Sequence, residues 1–116
     1  MLITVLSLIA VLSWQGTAPL HCRVTVGAGN DSSERCNVRV PSGHAIKPCA
    51  DADRRAGHCA DTGGARGRYV AWVVSSGPGR CRITDKGTKW KKGRVTAKLN
   101  AGAGGPSTCD LYVEVQ

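Results

Sequence analysis

A mainly β to α+β fold, a small antiparallel sheet or sandwich of five or six strands with one short helix and three disulfide cross-links, is what this chain of 116 residues predicts. Three observations lead there. Apolar and polar residues alternate with a period of two in several short runs, the signature of half-buried strands. Six cysteines occur, an even number in a chain this short, which reads as a disulfide framework. The runs are separated by "GAGNDSSE", "SSGPGR" and "NAGAGGPST", whose Gly, Asn, Ser and Pro residues serve turns.

The elements follow in order. In "HCRVTVGAG" Cys22, Val24 and Val26 share one face and Arg23 and Thr25 the other; in "RCNVRVP" Cys36, Val38 and Val40 repeat the arrangement. Pro48, with Asp51 and Asp53 early, Arg54 and Arg55 late and Gly57 just beyond, marks the one helix, in an order that suits the helix dipole. "RYVAWVVSS" is apolar on both faces, as a central strand is. "GRCRIT" places Cys81 with Ile83, "GRVTAKLN" sets Val95, Ala97 and Leu99 against Arg94, Thr96 and Lys98, and "TCDLYVEVQ" sets Cys109, Leu111, Val113 and Val115 against Asp110, Tyr112 and Glu114. Four cysteines, Cys22, Cys36, Cys81 and Cys109, thus fall on core faces, as disulfides that stitch strands across a core require.

Residues 1–18 carry no charged side chain, run apolar from Leu2 to Leu12 and end in small residues at Gly16 and Ala18. They are expected to be a secretory signal peptide, too short in its apolar run to span a bilayer. Removal leaves residues 19–116, one disulfide-stabilised β-rich domain with no transmembrane segment, secreted and extracellular, and expected as a monomer. All six cysteines, Cys22, Cys36, Cys49, Cys59, Cys81 and Cys109, lie after the segment; six cysteines permit fifteen pairings. A zinc site would draw on Cys49, His58, Cys59 and His44, but no C-x-x-C pair occurs and an oxidising compartment takes thiols first. No metal or cofactor is expected. Asn30 opens the sequon "NDS" and is a glycosylation candidate.

Catalytic signatures are lacking: there is no G-x-S-x-G, H-E-x-x-H or phosphate loop. Acid/base candidates reduce to His21, His44, His58, Glu34 and Glu114, so a small ribonuclease stands only as an alternative and the expectation is a protein that is not an enzyme. The charge is more telling. Of sixteen basic residues eight lie between Arg80 and Lys98, against the one acid Asp85, so this stretch holds seven of the eight net positive charges. Lys86, Lys89, Lys91, Lys92 and Arg94 crowd a connection around Trp90, while Arg80, Arg82 and Lys98 alternate with inward residues of the adjoining strands and share their outer face. Such a patch binds an anionic surface or polymer, with Trp90 placed to stack on a ring; the competing reading is a lysine-guarded sheet edge. Export makes acidic polysaccharide, anionic lipid or a host protein better partners than nucleic acid.

Two resemblances add expectations. "DADRRAGHCAD", through Arg55, Ala56, Gly57, His58 and Cys59 after an upstream Cys49, is similar to a helix-to-turn passage in the killer toxins of smut fungi encoded by double-stranded RNA viruses, and in the secreted fungal effectors that share their compact fold. This implies a toxin-like or host-directed effector, a virulence factor that acts by binding; where that family has a second helix, this chain has the strand-like "RYVAWVVSS". The order "TVGAG", "ER", "PSGH", "CADA" and "WKKGRV" before a late cysteine resembles the subtilisin inhibitors of actinomycetes. That resemblance implies protease inhibition, pairing of Cys36 with Cys49 and of Cys81 with Cys109, and Cys22–Cys59 as an extra link.

Overall fold

The computed structural model describes residues 18–29, 32–61, 68–84, 89–91 and 93–116, for 61 and 89–91 the backbone alone. The signal-peptide segment up to residue 17, the sequon Asn30, and Lys86 and Lys92 of the basic run lie outside the described residues. Eight strands and one helix follow in order among the described residues: β1 (Leu20–Val26), β2 (Ser33–Arg39), α1 (Asp51–Arg55), β3 (Cys59–Asp61), β4 (Arg68–Ser76), β5 (Arg82–Ile83), β6 (Lys89–Lys91), β7 (Arg94–Asn100) and β8 (Ser107–Val113). The mainly β expectation holds, with β3 and β6 as short additions.

The strands form two antiparallel sheets. One has the order β1-β8-β4-β3; the other has the order β2-β7-β5, with β6 on β7 as well. β5 pairs with the end of β7 (Arg82 opposite Asn100) and β6 with its beginning (Lys91 opposite Arg94), so both line the same edge of β7 in succession. Lys91 pairs with Arg94, and Gly93 just before β7 adopts φ +76°, a left-handed conformation that glycine takes at no steric cost.

The alternation read along each strand becomes the core. Val26, Cys109, Leu111, Val113, Tyr69 and Ala71 of the first sheet and Cys36, Val38, Val95, Ala97 and Leu99 of the second belong to one cluster of buried residues. Two faces that each bury one side therefore close on each other as a sandwich. β4 is apolar on both sides because Val70, on the outer face, is buried too: its N–H donates to the Lys47 carbonyl and its carbonyl accepts from Glu114 N–H, beneath the segment that leads into α1.

Three disulfides join Cys22 to Cys36, Cys49 to Cys59 and Cys81 to Cys109, with Cα separations of 6.0, 5.9 and 5.8 Å. The first ties β1 to β2 and the third ties the residue before β5 to β8, so both cross from one sheet to the other. The pairings Cys36–Cys49 and Cys22–Cys59 do not form. Cys36 and Cys22 lie on core faces of adjoining edge strands and meet there, while Cys49 and Cys59 bracket α1. Cys81–Cys109 is the implied pair that does form.

The helix is one turn and a half, begins after Ala50 and ends at Ala56. Ala50 N–H donates to Asp53 Oδ2 at 2.9 Å, and Gly57 follows at φ +75°. Pro48, expected in its first turn, instead lies before it and bridges to Tyr69. From Cys59 on, the described residues form β3, β4 and the later strands, with no second helix among them.

Candidate functional site

The outer faces of the two sheets carry different chemistry. On β2 the outward positions are Arg35, Asn37 and Arg39; on β7 they are Arg94, Thr96 and Lys98. The register sets Arg35 opposite Lys98, Asn37 opposite Thr96 and Arg39 opposite Arg94. Four exposed cations thus meet in two directly facing pairs, joined by the Thr96 hydroxyl, which donates to Asn37 Oδ1. The described ion pairs involve His21, Arg23, Lys47, Asp110 and Glu114, and none of these four cations. Like charges placed opposite each other across a ladder cost stability. Nothing in the packing requires them there.

The predicted basic run joins this face through its backbone register. Lys89 stands opposite Thr96 and Lys91 opposite Arg94, so Arg39, Arg94 and Lys91 occupy one register level on three adjacent strands. Trp90 stands opposite Val95, a buried core position. Arg82 pairs with Asn100 at the far end of β7, and Arg80 precedes the buried Cys81; both arginines are exposed. Arg94 and Lys98 thus hold outward positions of β7, Arg82 stands in register with Asn100 at its end, and Arg80 lies just before β5. Sequence reading missed Arg35 and Arg39. Their outward phase was legible from Cys36 and Val38, but only the β2–β7 pairing brings them beside Lys98 and Arg94.

Two loops hold the Arg80–Arg82 segment in place. Gly79 lies against the loop before β8: a Cβ built on it would stand 2.6 Å from Gly105 Cα and 2.8 Å from the Ala101 carbonyl oxygen. Gly79 N–H donates to Ser107 Oγ at 2.6 Å, and that hydroxyl donates to the Gly79 carbonyl at 2.7 Å. Cys81 N–H donates to Ser75 Oγ at 2.7 Å, and the Cys81–Cys109 bond anchors the side chain of the same residue.

The outer face of the first sheet is clothed in rings. His21, Tyr112, Trp72 and His58 form a row across β1, β8, β4 and the start of β3, with ring centroids 4.9, 5.6 and 4.9 Å apart. Trp72 lies between His58 and Tyr112, and Tyr112 between Trp72 and His21. Below the row, the buried Asp110 takes both neighbours on one oxygen: Arg23 Nε donates to Oδ1 at 2.8 Å and His21 Nε2 to the same atom at 2.6 Å. A carboxylate only accepts, so Nε2 of His21 carries the proton and Nδ1 is left to other partners. Arg23 foremost, and His21 after it, hold the Asp110 carboxyl below its usual range, and the same contact raises the Arg23 guanidinium. Glu114, weighed as a catalytic partner for a histidine, instead meets Lys47 Nζ at 3.3 Å. Among the described residues no three His, Cys, Asp or Glu side chains gather as a metal site, and no helix is long and apolar enough to cross a membrane. Cys49 and Cys59, which a zinc site would need as thiolates, are bonded to each other.

No protein family, no curated protein and no solved structure matches the chain.

Proposed function

We propose that this is a secreted protein that acts by binding an acidic extracellular polysaccharide through the outer face of the β2-β7-β5 sheet, in the manner of a toxin-like or host-directed effector. One observation carries the reading: Arg35 faces Lys98 and Arg39 faces Arg94 across the ladder, with no acidic partner among the described residues. A polymer bearing a charge on each repeat neutralises such pairs and relieves their repulsion, so binding and stabilisation act together. The strands space the cations along a flat surface, which matches an extended chain better than a compact ligand. Acidic polysaccharide is favoured over nucleic acid because an exported, disulfide-bonded protein meets it outside the cell.

The test is retention on a heparin column and on immobilised polygalacturonate. Replacing Arg35, Arg39, Arg94 and Lys98 by Ser lowers the salt needed for elution and flattens the salt dependence of binding, while the near-ultraviolet circular dichroism stays native. Unchanged retention rejects the face.

A small secreted ribonuclease is a second reading, favoured by the His21–Asp110 contact beside Arg23. His21 is 40% exposed while its carboxylate partner is buried, which orients an accessible base next to a guanidinium suited to a phosphate. Cleavage of total RNA that is lost in His21→Ala supports it; intact RNA after prolonged incubation with the wild type removes it.

A further inference from the structure

Arg80 and Arg82 differ from the other cations of the basic face in being held on a ridge. They flank Cys81, which is 8% exposed and bonded to Cys109 in the opposite sheet, so the backbone between them is pinned at its midpoint. Gly79 pins it again from behind, through Ser107. A hollow lies on each side of this ridge. One, of about 560 Å³, opens toward the loop of Ala101, Gly102, Ala103 and Gly104; the other, of about 420 Å³, opens toward the edge of β4 at Ala71 and Val73, with His58 on its rim. Both arginines line both hollows, and neither has an ion-pair partner among the described residues.

We infer that the ridge is a subsite for a linear acidic oligosaccharide, which crosses it with its anionic groups on Arg80 and Arg82 and places the flanking sugar rings in the two hollows. The inference rests on the polysaccharide reading above and deepens it. Each hollow falls within the volume range of small-ligand clefts, roughly 300–1,000 Å³. A guanidinium offers a planar fork that meets a carboxylate or sulfate through two parallel hydrogen bonds, and two of them side by side, on a backbone that does not have to be ordered on binding, lower the entropic cost of capture. The hollows suit the rest of a sugar. Val73 and Ile83, both half-buried, lend one an apolar strip for the C–H face of a ring within a mainly polar lining, and the glycine-rich loop gives the other backbone groups within reach of hydroxyls. His58, stacked on Trp72, is held in orientation at the rim. The broad face then supplies long-range attraction, and the ridge supplies recognition of individual units.

The probes are tetragalacturonate and a heparin tetrasaccharide, the carboxylated and sulfated arms, with maltotetraose as the uncharged control. Titration calorimetry on the full chain shows binding of an anionic tetrasaccharide and none of maltotetraose. Arg80→Ser with Arg82→Ser weakens it at least tenfold, whereas Arg54→Ser with Arg55→Ser, the same change in net charge at the exposed end of α1, leaves it within threefold. Arg80→Lys with Arg82→Lys keeps the charge and still loses affinity, because the forks are gone. In the wild type, amide shifts induced by the tetrasaccharide fall at Ala71–Val73 and Gly102–Gly104, a readout independent of any variant. Equal losses in the two serine pairs, shifts confined to β2 and β7, or no binding of either tetrasaccharide overturn the ridge. If the four-residue variant of the broad face still loses retention on the long polymers, the polysaccharide reading stands without the ridge. If wild-type protein is not retained on either polymer, both fall.

Discussion

Asp110 takes Arg23 and His21 on a single oxygen while its own side chain is almost wholly enclosed. Its folded-state pKa is depressed, by Arg23 first and His21 second, so the stability it contributes is present above the ordinary aspartate pKa of about 3.9 and is lost as pH falls through the lower folded value. Denaturant melts between pH 2 and pH 6 are expected to show a midpoint that falls on acidification. In Asp110→Asn the fall is shallower and the stability at pH 6 lower, because the amide keeps an acceptor but no charge for Arg23. A variant with the wild-type slope would show that Asp110 is not the group responsible. Gly79 offers a second test at this scale. Its missing side chain lets two loop backbones touch, and Gly79→Ala forces a Cβ against Gly105 Cα and the Ala101 carbonyl. Overpacking of this kind costs about 1–3 kcal/mol, readable as a lower unfolding midpoint with unchanged denaturant dependence. Neither effect was legible in the sequence. "SSGPGR" and "NAGAGGPST" read as turns, and Asp110 reads as an outward strand residue, because which loop meets which, and which cations flank a carboxylate, follow from strand order.

At the scale of the element, the phases of the six expected strands were legible, since a period of two assigns faces without knowing a partner; β3 and β6, three residues each, were too short to show one. Partners were not. β2 finds β7 far along the chain, and that pairing puts Arg35 against Lys98 and Arg39 against Arg94. Arg35→Glu converts one repulsive pair into an attractive one and is expected to raise stability by about 0.2–1 kcal/mol while it weakens retention on heparin. A variant that is stabilised and binds as well as wild type would separate the charge pattern from function. The disulfides also act between elements. Cys81–Cys109 closes a separation of 28 residues and Cys49–Cys59 one of 10. In the loop-entropy account these contribute about 3.6 and about 2.7 kcal/mol. Replacing Cys81 and Cys109 by Ser is therefore expected to cost more than replacing Cys49 and Cys59, and also to loosen the Arg80–Arg82 ridge. The opposite ranking in chemical denaturation would show that the helix link, not the link between sheets, does more to hold the fold.

For the whole molecule, the sandwich separates two surfaces, one of rings around a buried carboxylate and one of cations. Its interior is built from valine, alanine and two leucines, with cysteine and Tyr69, and without phenylalanine. A core of such small side chains supplies modest net stability, so reduction of all three disulfides is expected to unfold the domain at 37 °C; native circular dichroism retained in reductant would contradict this.

The sequence alone determined the mainly β class, the inward face of each main strand, the short helix α1 and the clustering of basic residues late in the chain. These are local properties, carried by the period of the pattern and by turn and cap chemistry within a few residues. The tertiary structure decided which cysteines pair, that Arg35 and Arg39 join the basic face, that His21 and Arg23 converge on Asp110, and that Arg80 and Arg82 crown a ridge between two hollows. Each of those depends on strand order and on loops meeting across the sandwich. Contacts of that kind are set by how two buried faces close on one another, and no repeat along the chain records them.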